Sequence, residues 1–178
     1  SAAKTMMIAQ QLYEGLELGA LGSLGLITYM RTDSTRIADE ALRDARTVIE
    51  TLFTPKHLPK ASRTYGKNKN AQDAHEAIRP SQVNTDFSPD KVKDYLTKDQ
   101  HKLYDLIWKR FLASQMENAI SDSTRVDIDG DGCIFRATGS IIKFDGFLAL
   151  YDESTDESNG DGEKENERLP DVQAKKPV

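Results

Sequence analysis

Apolar and polar positions along the chain change their period twice. In residues 4–14, Ile8 and Leu12 lie four apart with Met6 and Tyr13 flanking them, which predicts a helix closed by Gly15. Gly15, Gly19, Gly22 and Gly25 then punctuate a stretch that reads as a flexible connector, and Leu26-Ile27-Thr28-Tyr29 reads as extended. The helical period returns from about Ala38 to Leu52. There Ala41, Ala45, Val48 and Leu52 mark one apolar face, and Leu42 and Ile49 widen it. Asp39 and Glu40 fall in its first turn, where the helix dipole favours acids. Residues 54–73 are polar, basic and loop-like, and a short helix is expected over Ala74–Ile78 before Arg79-Pro80 ends it. Ser88-Pro89 starts another helix. Thr97 and Gln100 form a capping box for the next, whose face carries Leu103, Leu106, Ile107 and Phe111.

Beyond about Gln115 the period becomes two. Thr124–Ile128 and Cys133–Ala137 predict strands around an Asp-Gly turn, and Ser140–Tyr151 adds β-like sequence. Residues 152–167 hold eight acids and no apolar side chain, the composition of a disordered loop, and Leu169–Val172 briefly resumes order. The expectation is an α+β chain with a mostly helical domain over 1–115 and a β-rich segment over 116–178.

Charge follows the same division. The net −5 of the 178 residues argues mildly against nucleic acid as a partner. Residues 1–115, however, carry 17 Lys and Arg against 14 Asp and Glu, a net +3, whereas 116–178 carry 7 against 15, a net −8. The helical part is therefore basic enough to allow phosphate contacts. No apolar run approaches the ~20 residues of a membrane span. Lys4 leads into an amphipathic pattern rather than an apolar block, so no secretory signal is expected. Cys133 is alone, which excludes an internal disulfide and fits a reducing compartment.

Several metal and ligand motifs fail on inspection. Three histidines and one cysteine, widely spaced, do not make a zinc site. The acids of Asp127–Gly132 imitate a calcium loop, but the position that should hold its closing Glu is Thr138, and the flanks read as strands. His57 and His101 read as surface or partly packed residues. His75 belongs to a compact polar cluster with Asp73, Glu76 and Arg79 that residue types alone describe as a structural cap.

The chemistry concentrates in Tyr29-Met30-Arg31-Thr32-Asp33-Ser34. A tyrosine can act as a covalent nucleophile, although a free pKa of about 10 makes it weak at neutral pH. On an extended backbone Arg31 shares the face of Tyr29. Its guanidinium fork suits a phosphate and offsets charge that develops in phosphoryl transfer. Thr32 and Ser34 add hydroxyls, and Asp33 an acid. The competing description is a strand running into a helix N-cap, and residue types alone leave both open.

The stretch from Gly25 to Ile37, GLITYMRTDSTRI, resembles the active-site signature of the bacterial type IA DNA topoisomerases. KTMMIAQQLYE, residues 4–14, is similar to the helix that precedes that signature, and DAHEAIRP, residues 73–80, is similar to a block that follows it. Phe144-Asp145-Gly146-Phe147 is similar too, less specifically. The resemblance covers most of residues 3–151. Met30 after the tyrosine, together with the His-Glu-Ala-Ile-Arg-Pro form, favours the topoisomerase I branch over topoisomerase III.

The resemblance implies a winged-helix, CAP-like cleavage domain followed by part of the arch that carries it. It implies that Tyr29 attacks single-stranded DNA and holds the 5′ end as a phosphotyrosine. A strand then passes and the nick is resealed without ATP, relaxing negative supercoils. Arg31 is then the ligand of the scissile phosphate. Gln10, Glu14, Thr28 and Asp33 line the active site, and His75 and Arg79 contact DNA. The implied cofactor is Mg²⁺, held with its acid/base partners in a toprim domain outside these residues. This piece alone is therefore expected to be inactive, with Tyr29 exposed. The implied partners are single-stranded or negatively supercoiled DNA and the remaining domains of the same protein, in the bacterial cytoplasm. The rivals are a non-catalytic winged-helix DNA-binding module and a tyrosine recombinase. The recombinase needs several Arg and His residues upstream of its tyrosine, and none precedes Tyr29.

Overall fold

The computed structural model describes residues 1–66 and 75–151. It divides into two compact units, Ser1–Glu117 and Asn118–Val178.

The first unit is built on three longer helices, α1 (Ala2–Glu14), α2 (Asp39–Leu52) and α4 (Lys98–Ser114), with a one-turn α3 at Pro89–Val92. Helix α1 buries Ile8, Ala9 and Leu12 and packs on α4. Gln100 Nε2 donates to Gln11 Oε1 at 3.0 Å across that contact. The capping box of α4 forms as expected. Thr97 Oγ1 accepts from the Gln100 amide at 3.3 Å, and Gln100 Oε1 accepts from the Thr97 amide at 2.9 Å.

The buried stripe of α4 is rotated from the one its Leu and Ile positions predict. Tyr104, Trp108, Phe111 and Leu112 go inward, and Leu103, Leu106 and Ile107 stay half-buried. The large rings of Tyr104 and Trp108 bury more area than the three aliphatic side chains left half-buried, and that difference favours the rotation. Tyr104 reaches a polar partner as well, donating to the Phe87 carbonyl at 2.7 Å. Burial pushes its phenol pKa well above the ordinary value. In α2, Ala41, Leu42, Ala45, Val48 and Ile49 are buried as expected. Leu52 is 51% exposed, because the helix ends there, beyond the core.

Other expectations fail for long-range reasons. The glycine-rich connector is an antiparallel ladder, β1 (Leu16–Glu17) against β2 (Ser23–Leu24), closed by a 3₁₀ turn at Gly19–Leu21. Leu18 anchors it, fully buried, while Gly19 and Gly22 supply the positive φ of the turn, +60° and +78°. His75–Ile78 is not helical, since its backbone bonds distant segments instead. The Ala77 amide donates to the Arg36 carbonyl at 2.8 Å, and the Ala77 carbonyl accepts from Thr28 Oγ1. His57, expected at or near the surface, is buried, with Nδ1 2.9 Å from Thr54 Oγ1 and its ring against Phe53.

The second unit is a long hairpin, β3 (Ile120–Gly130) and β4 (Cys133–Phe144), paired from Ile120↔Phe144 to Gly130↔Cys133. Asp131 and Gly132 both take positive φ, 51° and 81°, as a two-residue hairpin turn requires. The ladder runs beyond the strands expected at 124–128 and 133–137, because the alternating pattern persists through its polar positions. After Phe144 the chain turns into a 3₁₀ segment, Gly146–Ala149, rather than more strand. Gly146 lies with its Cα so close to the Asn118–Ala119 peptide that a Cβ would stand 2.5 Å from the Asn118 carbonyl carbon. Asp127, first of the calcium-like acids, is taken by Arg136 opposite it, at 2.7 and 3.1 Å. The acidic tract, Leu169–Val172, Asp73 and Ala74 lie outside the described residues. No helix among the described residues is long and apolar enough to cross a membrane.

Candidate active site

The segment that carries Tyr29 is threaded between the end of α1 and the block at 75–81. The Leu26 amide donates to the Leu12 carbonyl at 2.7 Å, and the Ser81 amide donates to the Leu26 carbonyl at 3.0 Å. Ile27 pairs with Pro80 in a single antiparallel bridge, and the Thr28 amide donates to the Arg79 carbonyl at 2.9 Å. Gly25 is required at the crossing, because a Cβ there would meet the Tyr13 carbonyl oxygen at 2.3 Å. Thr28 ties the two segments again through its side chain. Oγ1 donates to the Ala77 carbonyl at 2.8 Å and accepts from the Arg79 amide at 2.9 Å.

Beyond Ile27 no ladder continues, and the chain bends at Met30 and Arg31. Met30 is buried, which leaves Tyr29 and Arg31 on either side of an inward anchor. Tyr29 is half-buried rather than exposed. Its ring centroid lies 5.4 Å from that of Tyr13, edge-on with planes 64° apart, and 5.1 Å from that of His75, with planes 37° apart. Its hydroxyl makes no hydrogen bond among the described residues. Arg31 is exposed and likewise has no carboxylate partner among them.

Gln10 and Glu14 sit on the same face of α1 as Tyr13, so the helix end that touches Tyr29 presents both. Gln10 Nε2 donates to Glu14 Oε1. The next residues are organised by local turns. Thr32 Oγ1 accepts from the Ser34 amide at 3.0 Å, and Ser34 Oγ from the Arg36 amide at 3.2 Å. These hydroxyls shape the loop, and Asp33 between them is exposed.

Arg79, expected to contact DNA, turns its guanidinium inward. Nε and Nη2 meet Glu76 Oε2 at 2.8 and 2.7 Å, Nη1 donates to the Pro80 carbonyl at 2.7 Å, and the side chain is 12% exposed. Its donors are engaged, and it acts as the clamp that shapes the 75–81 block. Arg36 approaches the other Glu76 oxygen at 3.9 Å. The structure thus brings Tyr29 against Tyr13 and His75 and ties Thr28 to the backbone of Ala77 and Arg79, while Gln10 and Glu14 bond each other on the helix that carries Tyr13, and Arg31 and Asp33 are exposed on the loop that follows. Two contributors were missed as site residues. Tyr13 read only as a flank of the α1 face, although its spacing from Gln10 and Glu14 places it with them. Glu76 read only as part of a polar cluster.

Among the described residues no three His, Cys, Asp or Glu side chains converge as a metal site would need.

The site is thus a tyrosine whose ring meets those of Tyr13 and His75, two residues before an exposed arginine that has no carboxylate partner among the described residues. The family model described as DNA topoisomerase matches residues 1–178, and the chain belongs to that family. Among solved structures it is similar to full-length topoisomerase I from Thermotoga maritima, with 44% identity and a TM-score of 0.69 over 84% of this chain. The chain spans 23% of the length of that protein.

Proposed function

We propose that this chain carries the DNA-cleaving tyrosine of a type IA topoisomerase. With the rest of that enzyme it acts on single-stranded stretches of negatively supercoiled DNA in the bacterial cytoplasm. The observation that carries the reading is Tyr29 itself, a phenol whose ring meets those of Tyr13 and His75 and whose oxygen makes no hydrogen bond among the described residues.

On this reading the Tyr29 oxygen attacks the scissile phosphorus. The bond to the 3′ oxygen breaks, the phenol gives up its proton, and the 3′ oxygen leaves as a hydroxyl. The 5′ phosphate stays on Tyr29 as a diester that keeps the bond energy, so resealing is the same step reversed and needs no ATP. Arg31 supplies a planar fork for the phosphate oxygens. Holding the phosphate in line is worth more than any single contact in such a displacement. Thr28 keeps the nucleophile segment on the 75–81 block, Gln10 and Glu14 form the α1 wall, Asp33 flanks the phosphate-binding arginine, and His75 lies where the DNA backbone enters. Arg79 is structural. Mg²⁺ belongs to another domain of the enzyme, and no step above is routed through it. This chain alone therefore binds DNA weakly and in a salt-sensitive way, and does not cleave it.

The test is Tyr29→Phe in the enzyme that contains this chain. The variant removes one oxygen and leaves both ring contacts. It should fold normally and give no denaturation-resistant adduct with a single-stranded oligonucleotide. Adduct at the wild-type yield refutes the assignment.

A further inference from the structure

We infer that Tyr13 is a positioning residue for the Tyr29 nucleophile, an inference that rests on the reading of Tyr29 given above. The two rings meet edge-on at 5.4 Å, and His75 bounds Tyr29 on another side at 5.1 Å. These walls differ in rigidity. Tyr13 stands in the last turn of a 13-residue helix whose end is locked to the nucleophile segment. The Leu26 amide bonds the Leu12 carbonyl, and Gly25 sits directly on the Tyr13 carbonyl. Tyr29 and His75 lie on irregular backbone. The helix therefore holds the fixed ring, and the contact selects which rotamer the phenol of Tyr29 adopts. A nucleophile that must approach phosphorus opposite the leaving oxygen gains rate from having that rotamer occupied beforehand.

Two further observations separate this role from packing or hydrogen bonding. Tyr13 is 41% exposed, so it is not a core residue. Its hydroxyl makes no hydrogen bond among the described residues, so the ring carries the role and phenylalanine should replace it. The backbone contact with Gly25 survives any change of the side chain.

The experiment compares Tyr13→Leu, Tyr13→Gln and Tyr13→Phe in the enzyme that contains this chain. It measures single-turnover cleavage at saturating single-stranded oligonucleotide and, separately, the Kd for that oligonucleotide. From the worth of one aromatic pair, the Leu and Gln variants should cleave about threefold to tenfold more slowly with Kd unchanged. The Phe variant should cleave at the wild-type rate. Wild-type cleavage by both ring-free variants overturns the inference. So does a Phe variant as slow as Leu, or a loss that lies wholly in Kd, which would make Tyr13 a DNA contact. Tyr29→Phe is assayed alongside. Its failure to form adduct, together with unimpaired ring-free variants, refutes the role of Tyr13 alone, whereas adduct from Tyr29→Phe overturns both.

Discussion

Gly25→Ala tests how the site is held together. The added Cβ would stand 2.3 Å from the Tyr13 carbonyl oxygen and 3.2 Å from its carbon, and both atoms are backbone. Neither can rotate away. Ordinary contact begins near 3.4 Å, so the end of α1 and the nucleophile segment must separate by about 1.1 Å. That movement strains the Leu26–Leu12 hydrogen bond, now 2.7 Å, and the bond from Ser81 Oγ to the Gly25 carbonyl. Overpacking of this kind costs about 1–3 kcal/mol, and a weakened hydrogen bond about 1 kcal/mol more. The catalytic effect should be larger than the loss of stability implies. Tyr13 moves with α1, so the ring contact that orients Tyr29 opens by the same distance, and a misplacement near 1 Å can cost roughly 100-fold in rate. The assay pairs a thermal melt with single-turnover cleavage of a single-stranded oligonucleotide in the enzyme that contains this chain. A variant that melts and cleaves like wild type would show that α1 and the nucleophile segment are not mechanically coupled.

Two further outcomes are expected. Arg31→Lys keeps the charge but loses the planar fork, so supercoil relaxation should fall about tenfold or more, and unchanged relaxation would make Arg31 a surface residue only. For Tyr104, burial holds the folded-state pKa above the unfolded value of about 10. Its contribution to stability is therefore complete below about pH 10 and is lost as pH rises beyond that. Tyr104→Phe should flatten this alkaline decline in melting temperature, at a cost of about 1 kcal/mol at neutral pH for the bond to the Phe87 carbonyl. A decline as steep as wild type would place its cause elsewhere.

What the sequence determined by itself was local. Helix α1, the start of α4 at its capping box and the Asp131-Gly132 turn follow from neighbours a few residues apart, whose hydrogen bonds and φ preferences act whatever the rest of the chain does. The signature around Tyr29 was legible in the same way, because its residue types and order are themselves the signal. Contacts between segments distant in sequence were decided only in the tertiary structure. Leu18 turned a glycine-rich stretch into a buried-anchor hairpin. Thr28 and Arg36 drew the Ala77 peptide out of a helix. Tyr104 and Trp108 rotated α4 away from its leucines. Glu76 closed the guanidinium of Arg79 that the family resemblance offered to DNA. The Tyr13–Tyr29–His75 ring cluster belongs to the same group, since no periodicity relates a helix end, a bent loop and an irregular block. Each polar or aromatic group had several partners of comparable strength along the chain, and the packing of the first unit chose among them.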